Sequence, residues 1–119
     1  MDKINIYNKL AQFEDPWVPR IVGELNGQYV KVVKFKGPFD WHHHENEDEM
    51  FFVIKGGFRM EFRDRALDLA EGDFIIVPSG IDHRPVAEEE AHVMLFEPIS
   101  TLNTGNVRTS KTRETLDRI

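Results

Sequence analysis

A chain of 119 residues, 40% of them hydrophobic and nine of them Phe, is long enough for one domain with a real core and too short for two. The formal net charge of −6 supplies no global field to draw in a phosphate backbone, so nucleic acid is not expected as a partner. The absence of Cys excludes disulfides, thiolate ligands and a Cys nucleophile together, and leaves His and carboxylates as the available metal ligands.

Residues 1–6 lack the basic start and apolar stretch of a secretory signal, and the longest unbroken apolar run, 50–54, is far too short to span a bilayer. A cytoplasmic location without a membrane partner is therefore expected. Ile6, Leu10 and Phe13 follow helical spacing and predict a short N-terminal helix that Pro16 and Pro19 terminate, so that residues 1–20 form a helix and lead-in. Beyond it, strand-forming runs at 29–35, 50–54, 58–62, 74–77 and 93–96 alternate with turn signals at Asn26-Gly27, Gly37-Pro38, Gly56-Gly57, Glu71-Gly72 and Ser79-Gly80. Asn26-Gly27 has the signature of a type I′ hairpin. This rhythm predicts an all-β, antiparallel sandwich or barrel over residues 21–98, followed by a polar extension, 99–119.

Phe58, Met60 and Phe62 alternate with Arg59, Glu61 and Arg63, giving one apolar face and one charged face. The run 50–54 is apolar on both faces, which predicts cover on both sides, by a second sheet and by a partner subunit. Glu88, Glu89 and Glu90 read as a hairpin turn. Arg108, Lys111, Arg113 and Arg118 read as a solvated tail.

The densest chemistry is Trp41-His42-His43-His44, followed directly by an acidic loop ending at Glu49. Side chains alternate along a strand, so His42 and His44 share one face and His43 points to the other. A carboxylate entering on the next strand, Glu49, can close the set across the turn, and His83 can join it from a later strand. Three neutral imidazoles and one carboxylate suit one divalent ion, Fe, Mn, Ni or Zn, and leave positions open for water or substrate. On pattern alone, clustered surface histidines beside acids remain the competing reading. Phe51, Val53, Phe58, Met60 and Phe62 are expected to line the interior as pocket wall. Trp41 is a packing or stacking residue at the barrel end, and His92 is a wall histidine or a proton-transfer group.

The spacing of these residues resembles a known family. Gly37, His42, His44, Glu49 and Gly56 are similar to the first motif of the cupins, and Gly72, Pro78, Gly80 and His83 to the second. The resemblance implies a two-sheet, jelly-roll β-barrel holding a metal with His42, His44, Glu49 and His83, often as a homodimer. The chain resembles small bacterial single-domain cupins, some loosely labelled mannose-6-phosphate isomerase-like, a label that speaks to fold. Where the second motif often ends in Asn this chain has Ala87, so one polar wall residue of many cupin enzymes is missing. The implied function is a metal-dependent enzyme acting on a small molecule, sugar-like or of dioxygenase type. The alternatives are a non-catalytic module that binds or senses a metabolite or metal, and a metal that merely clamps the barrel.

Overall fold

The computed structural model describes all 119 residues. One short helix, α1 (Ile6–Leu10), precedes seven strands: β1 (Arg20–Leu25), β2 (Gln28–Pro38), β3 (Glu49–Lys55), β4 (Gly57–Phe62), β5 (Ala66–Ala70), β6 (Phe74–Val77) and β7 (His83–Pro98). All strand pairs are antiparallel. The order β1-β2-β7-β3-β6 makes one leaf, and β4 carries β5 off the other half of β7.

Two long strands turn this sheet into a jelly roll. The C-terminal half of β7 pairs with β3, Met50 opposite Phe96, while its N-terminal half pairs with β4, Phe62 opposite His83. Strand β2 follows β7 across both halves. The sheet therefore folds over itself into two facing leaves, without being closed by hydrogen bonds. Between them lies a core that includes Val33, Phe35, Phe51, Val53, Phe58, Met60, Val93 and Leu95. Each such side chain, removed from water, contributes roughly 1.5–3 kcal/mol.

Glu88, Glu89 and Glu90 are not a turn. They lie inside β7, all three exposed, where four residue steps from Ala87 to Ala91 oppose two from Gly37 to Phe35. The acidic triplet is the extra length of a bulge, which lets the strand bend from one leaf to the other. Gly37, at φ +76°, supplies the matching kink on β2. The Asn26-Gly27 hairpin has φ +51° and +76°, both positive as a type I′ turn requires.

Helix α1 is short because Asn5 caps it, accepting from the Asn8 N–H at 3.0 Å, and Ala11 ends it. Phe13 lies beyond its end. There the Phe13 carbonyl accepts from Lys34 Nζ at 2.6 Å, and the ring takes Arg20 over its face at 4.3 Å. Leu10 and Phe13 pack with Val22 and Val32 on the outer side of the sheet, joined by Ile54 and Ile119.

The C-terminal extension is polar, but it is not a solvated tail. Thr104 is fully buried; its hydroxyl donates to the Val107 carbonyl at 2.7 Å and lies 2.7 Å from Thr112 Oγ1. The last residues dock on β1, with Ile21 N–H donating to Asp117 O at 2.9 Å and Ile119 N–H to Ile21 O at 3.1 Å. The guanidinium groups of Arg108 and Arg118 face water while the backbone beneath them is held.

Candidate metal centre

His42 and His83 stand directly opposite each other in an antiparallel bridge, exchanging both backbone hydrogen bonds, at 3.1 and 2.9 Å. Opposed residues of such a pair project to the same face, so both imidazoles enter the interior. Two residues on, the His44 carbonyl accepts from the Gly80 N–H at 2.7 Å, and Asp48 Oδ1 accepts from the Ser79 N–H at 2.9 Å. The Pro78-Ser79-Gly80 turn is thus stitched to the loop that carries the first histidines. Glu49 opens β3 opposite Val77 and points inward with Phe51 and Val53.

The four side chains, His42, His44, Glu49 and His83, are all buried, and their ligand atoms lie within 4.8 Å of one another. Donors on one ion at about 2.1 Å sit at most about 4.2 Å apart, so only a small contraction separates this arrangement from a coordination sphere. The ring tautomers fit as well. His42 Nδ1 lies 2.8 Å from the Asp40 carbonyl and His83 Nδ1 2.8 Å from the Ile81 carbonyl. A carbonyl only accepts, so each Nδ1 carries the proton and each Nε2 presents a lone pair to the centre.

His44 Nε2, Glu49 Oε1 and His83 Nε2 are buried and crowd one another, Glu49 Oε1 lying 3.1 Å from His44 Nε2 and 3.6 Å from His83 Nε2, yet none of the three makes a well-aligned hydrogen bond. Native interiors rarely leave polar atoms so, and the cost is about 1–3 kcal/mol per group. Convergent orphaned donors of this chemistry fit a divalent transition metal.

The electrostatics agree. Burial, then the nearby His83, push His42 down to about 4, so it is neutral and competent to ligate at neutral pH. Burial acts to raise the Glu49 carboxyl, but contacts with His44 and His83 outweigh it and hold it well below the usual carboxylate range. In the metal-free protein, the His42 shift implies a pH dependence with a definite sign. The unfolded chain binds the proton more readily between about pH 6.5 and 4, so stability present above that window is lost as pH falls through it, on the order of 3 kcal/mol in all. Urea titrations at pH 7 and pH 4.5 on the metal-free wild type and on His42→Phe check this: the wild type should lose more stability than the variant, and equal losses would contradict it.

The side chains expected as pocket wall are distributed differently. Phe51 borders the cavity beside the ligands. Val53, Phe58, Met60 and Ala87 belong to the packed core, and Phe62 lies against its edge. His92 faces outward because it alternates with the inward Ala91 and Val93 of β7, and Trp41, in the loop before His42, turns outward as well. Trp41 lies between Arg63, 4.0 Å over its ring, and Arg84 at 5.3 Å; His92 Nε2 meets Glu90 Oε2 at 3.0 Å. His43 likewise points away, its ring nitrogens on Asp82 at 2.9 Å and Glu45 at 2.8 Å. Those carboxylates, Glu45 first, raise its pKa.

Three contributors to the site were not foreseen. Trp17 roofs the cavity: its indole N–H donates to the Lys36 carbonyl at 2.7 Å and its ring stacks on Phe35 at 4.5 Å, with φ at +66°. Asn106 clamps the loop that bears His42 and His44 from the tail, its Oδ1 accepting from the His43 N–H at 2.8 Å and its N–H donating to the His43 carbonyl at 2.9 Å, while Gly105 packs closely against the same carbonyl. Behind Glu49 lies a buried pair, Lys31 Nζ and Glu97 Oε1, 3.2 Å apart and each side chain 2% exposed. Burial, then the charge of Glu49, push the Glu97 carboxyl well above its ordinary range, against the pull of Lys31. Parity could have found this pair: Lys31 alternates in step with Val33 and Phe35, and Glu97 with Val93 and Leu95.

The cavity beside His42 and Glu49 is walled by Trp17, Pro19, Val33, Phe35, Phe39, Phe51, Pro85, Leu95 and Asn103. Its volume is only about 30 Å³, room for roughly two waters.

A two-leaved jelly roll with inward His, His, Glu and His from two spaced motifs defines the cupin class, and the chain belongs to it: the cupin domain matches residues 30–99. A cupin-2 domain containing protein from Shewanella frigidimarina is 39% identical, with a TM-score of 0.79 over 80% of this chain and 93% of that one. A Neisseria meningitidis protein is 30% identical, with a TM-score of 0.75 over 82% and 99%. KdgF from Halomonas sp. is 30% identical, with a TM-score of 0.59 over 67% and 78%. YdbB of Bacillus subtilis is 36% identical over 64 residues, so the match spans 53% of this chain and little over half, 57%, of that curated relative.

Proposed function

We propose that this cupin is a metal-dependent enzyme acting on a small molecule, with His42, His44, Glu49 and His83 as the ligands. The observation that carries the reading is the set of buried nitrogen and oxygen atoms that converge within 4.8 Å of one another without a well-aligned hydrogen bond, beside an apolar cavity. A bound divalent ion would supply Lewis-acid polarisation of a substrate oxygen. The chain's own residues do the rest: the carbonyls of Asp40 and Ile81 fix two imidazoles, while Trp17, Phe35, Phe39 and Phe51 exclude bulk water. Sugar-like and dioxygenase-type substrates are the classes to test. A sugar needs more room than this cavity has, so its entry requires displacement of lining side chains. The test is turnover of panels from both classes, lost on chelation and restored by a single metal. Failure across both panels with metal bound would sink the enzymatic reading.

Two observations favour a second reading, a module that binds a metal or metabolite without turning it over. The cavity is small, and Ala87, at the last position of the second motif, brings no polar group to the interior. We also propose a homodimer. Phe74 and Ile76 are 60% and 56% exposed on the outer face of β6, and pair with the half-buried Phe52 and Met50 of β3 in one apolar patch. Helix α1 covers only the other end of that face. Light scattering should give twice the 13.9 kDa chain mass, and Ile76→Glu should halve it; a monomeric wild-type protein would refute the dimer.

A further inference from the structure

The Lys31–Glu97 pair sits where a sheet interior normally carries hydrophobic residues. Strand pairing places Tyr29 opposite Glu97 and Met50 opposite Phe96. The register therefore sets Glu49 of β3 beside Glu97 of the neighbouring β7, and Lys31 of β2 diagonally beyond it. All three side chains point inward and are at least 95% buried. They form one row across three strands, from Lys31 through Glu97 to Glu49 and on to His44, whose Nε2 is 3.1 Å from Glu49 Oε1. Glu97 Oε2 has no donor of its own. It is also absent from the walls of the cavity, so a bound molecule there would not meet it.

Two carboxyl groups side by side in an interior repel, and a chain that needed only a core would place leucine or methionine at both positions. The cationic Lys31 makes the arrangement tolerable, and its cost has to be offset by something the row does. We propose that Lys31 and Glu97 are positioning residues for the metal centre: together they hold the Glu49 carboxyl in the orientation that aims it at the histidines. This rests on the proposed metal centre, because Glu49 is the member of the ligand set it acts through. Groups that orient metal ligands from behind commonly set affinity by roughly 10- to 100-fold.

The experiment measures Co(II) and Zn(II) binding by titration calorimetry, with the visible spectrum of the Co(II) form as a second readout. Lys31→Met/Glu97→Leu replaces the pair by apolar groups of similar volume and removes both partners together, so it is expected to fold, which its melting temperature checks. It should bind both ions roughly 10- to 100-fold more weakly and shift the Co(II) bands. Glu97→Asp keeps every charge and only retracts the carboxyl by one methylene. It should lose about tenfold with little change in melting temperature. If either folded variant binds within about threefold of wild type, with an unchanged Co(II) spectrum, the pair is structural only and the inference is overturned. If wild-type protein itself binds neither ion, the metal centre fails first and the pair's role falls with it.

Discussion

Gly105→Val is expected to destabilise the protein by more than about 2 kcal/mol and to weaken metal binding at the same time, although Gly105 ligates nothing. A Cβ at this position would lie far inside van der Waals contact distance of the His43 carbonyl oxygen and 3.1 Å from His42 Cδ2. The backbone is also left-handed there, at φ +56°, a conformation that a β-branched residue resists by 1–2 kcal/mol or more. Relief requires either undocking of the tail, which forfeits the Asn106 bonds to His43, or movement of the loop that bears His42 and His44. Thermal melts with and without Zn(II) report both effects. A variant with wild-type melting temperature and affinity would show that the tail plays no part in the site.

The second large effect is stabilisation by the metal itself. The metal-free centre leaves His44 Nε2, Glu49 Oε1 and His83 Nε2 buried with no well-aligned hydrogen bond among them, and an ion satisfies all three together. At a free-metal concentration about a hundred times the dissociation constant, linkage adds about 2.7 kcal/mol, which for a domain of this size raises the melting temperature by roughly 10 °C. His83→Ala should abolish most of that rise, since a site worth on the order of 10 kcal/mol over four ligands loses about a hundredfold in affinity per ligand removed. A rise of equal size in the variant would place the ion elsewhere.

Much of this site could be read from the chain because it depends on local geometry. The period of a strand separates His42 and His44 from His43, and the structure keeps that separation, with His43 bonded to Asp82 and Glu45 on the opposite side. Turn chemistry located Asn26-Gly27, whose positive φ angles leave few alternatives. What could not be read was long-range. Glu88 to Glu90 have the composition of a turn, and only their pairing partner on β2 shows them to be a bulge. Residues 66–70 carry no strong strand signal and become β5 by pairing with β4. The extension has no hydrophobic period, because it is held by single contacts such as those of Thr104, Asn106 and Ile119 rather than by a face. His92 has the chemistry of a wall residue, yet strand parity turns it outward onto Glu90, and Trp41, in the loop between β2 and β3, turns outward beneath Arg63.

The central claim is that one transition-metal ion sits among His42, His44, Glu49 and His83. Its most direct test is elemental analysis of untagged protein after exhaustive dialysis against metal-free buffer, for wild type and for His44→Ala/His83→Ala. The account predicts about one ion per wild-type chain and close to none in the double variant. Full occupancy in the folded double variant, or none in wild-type protein offered Fe(II), Mn(II), Ni(II) and Zn(II) in turn, would contradict it.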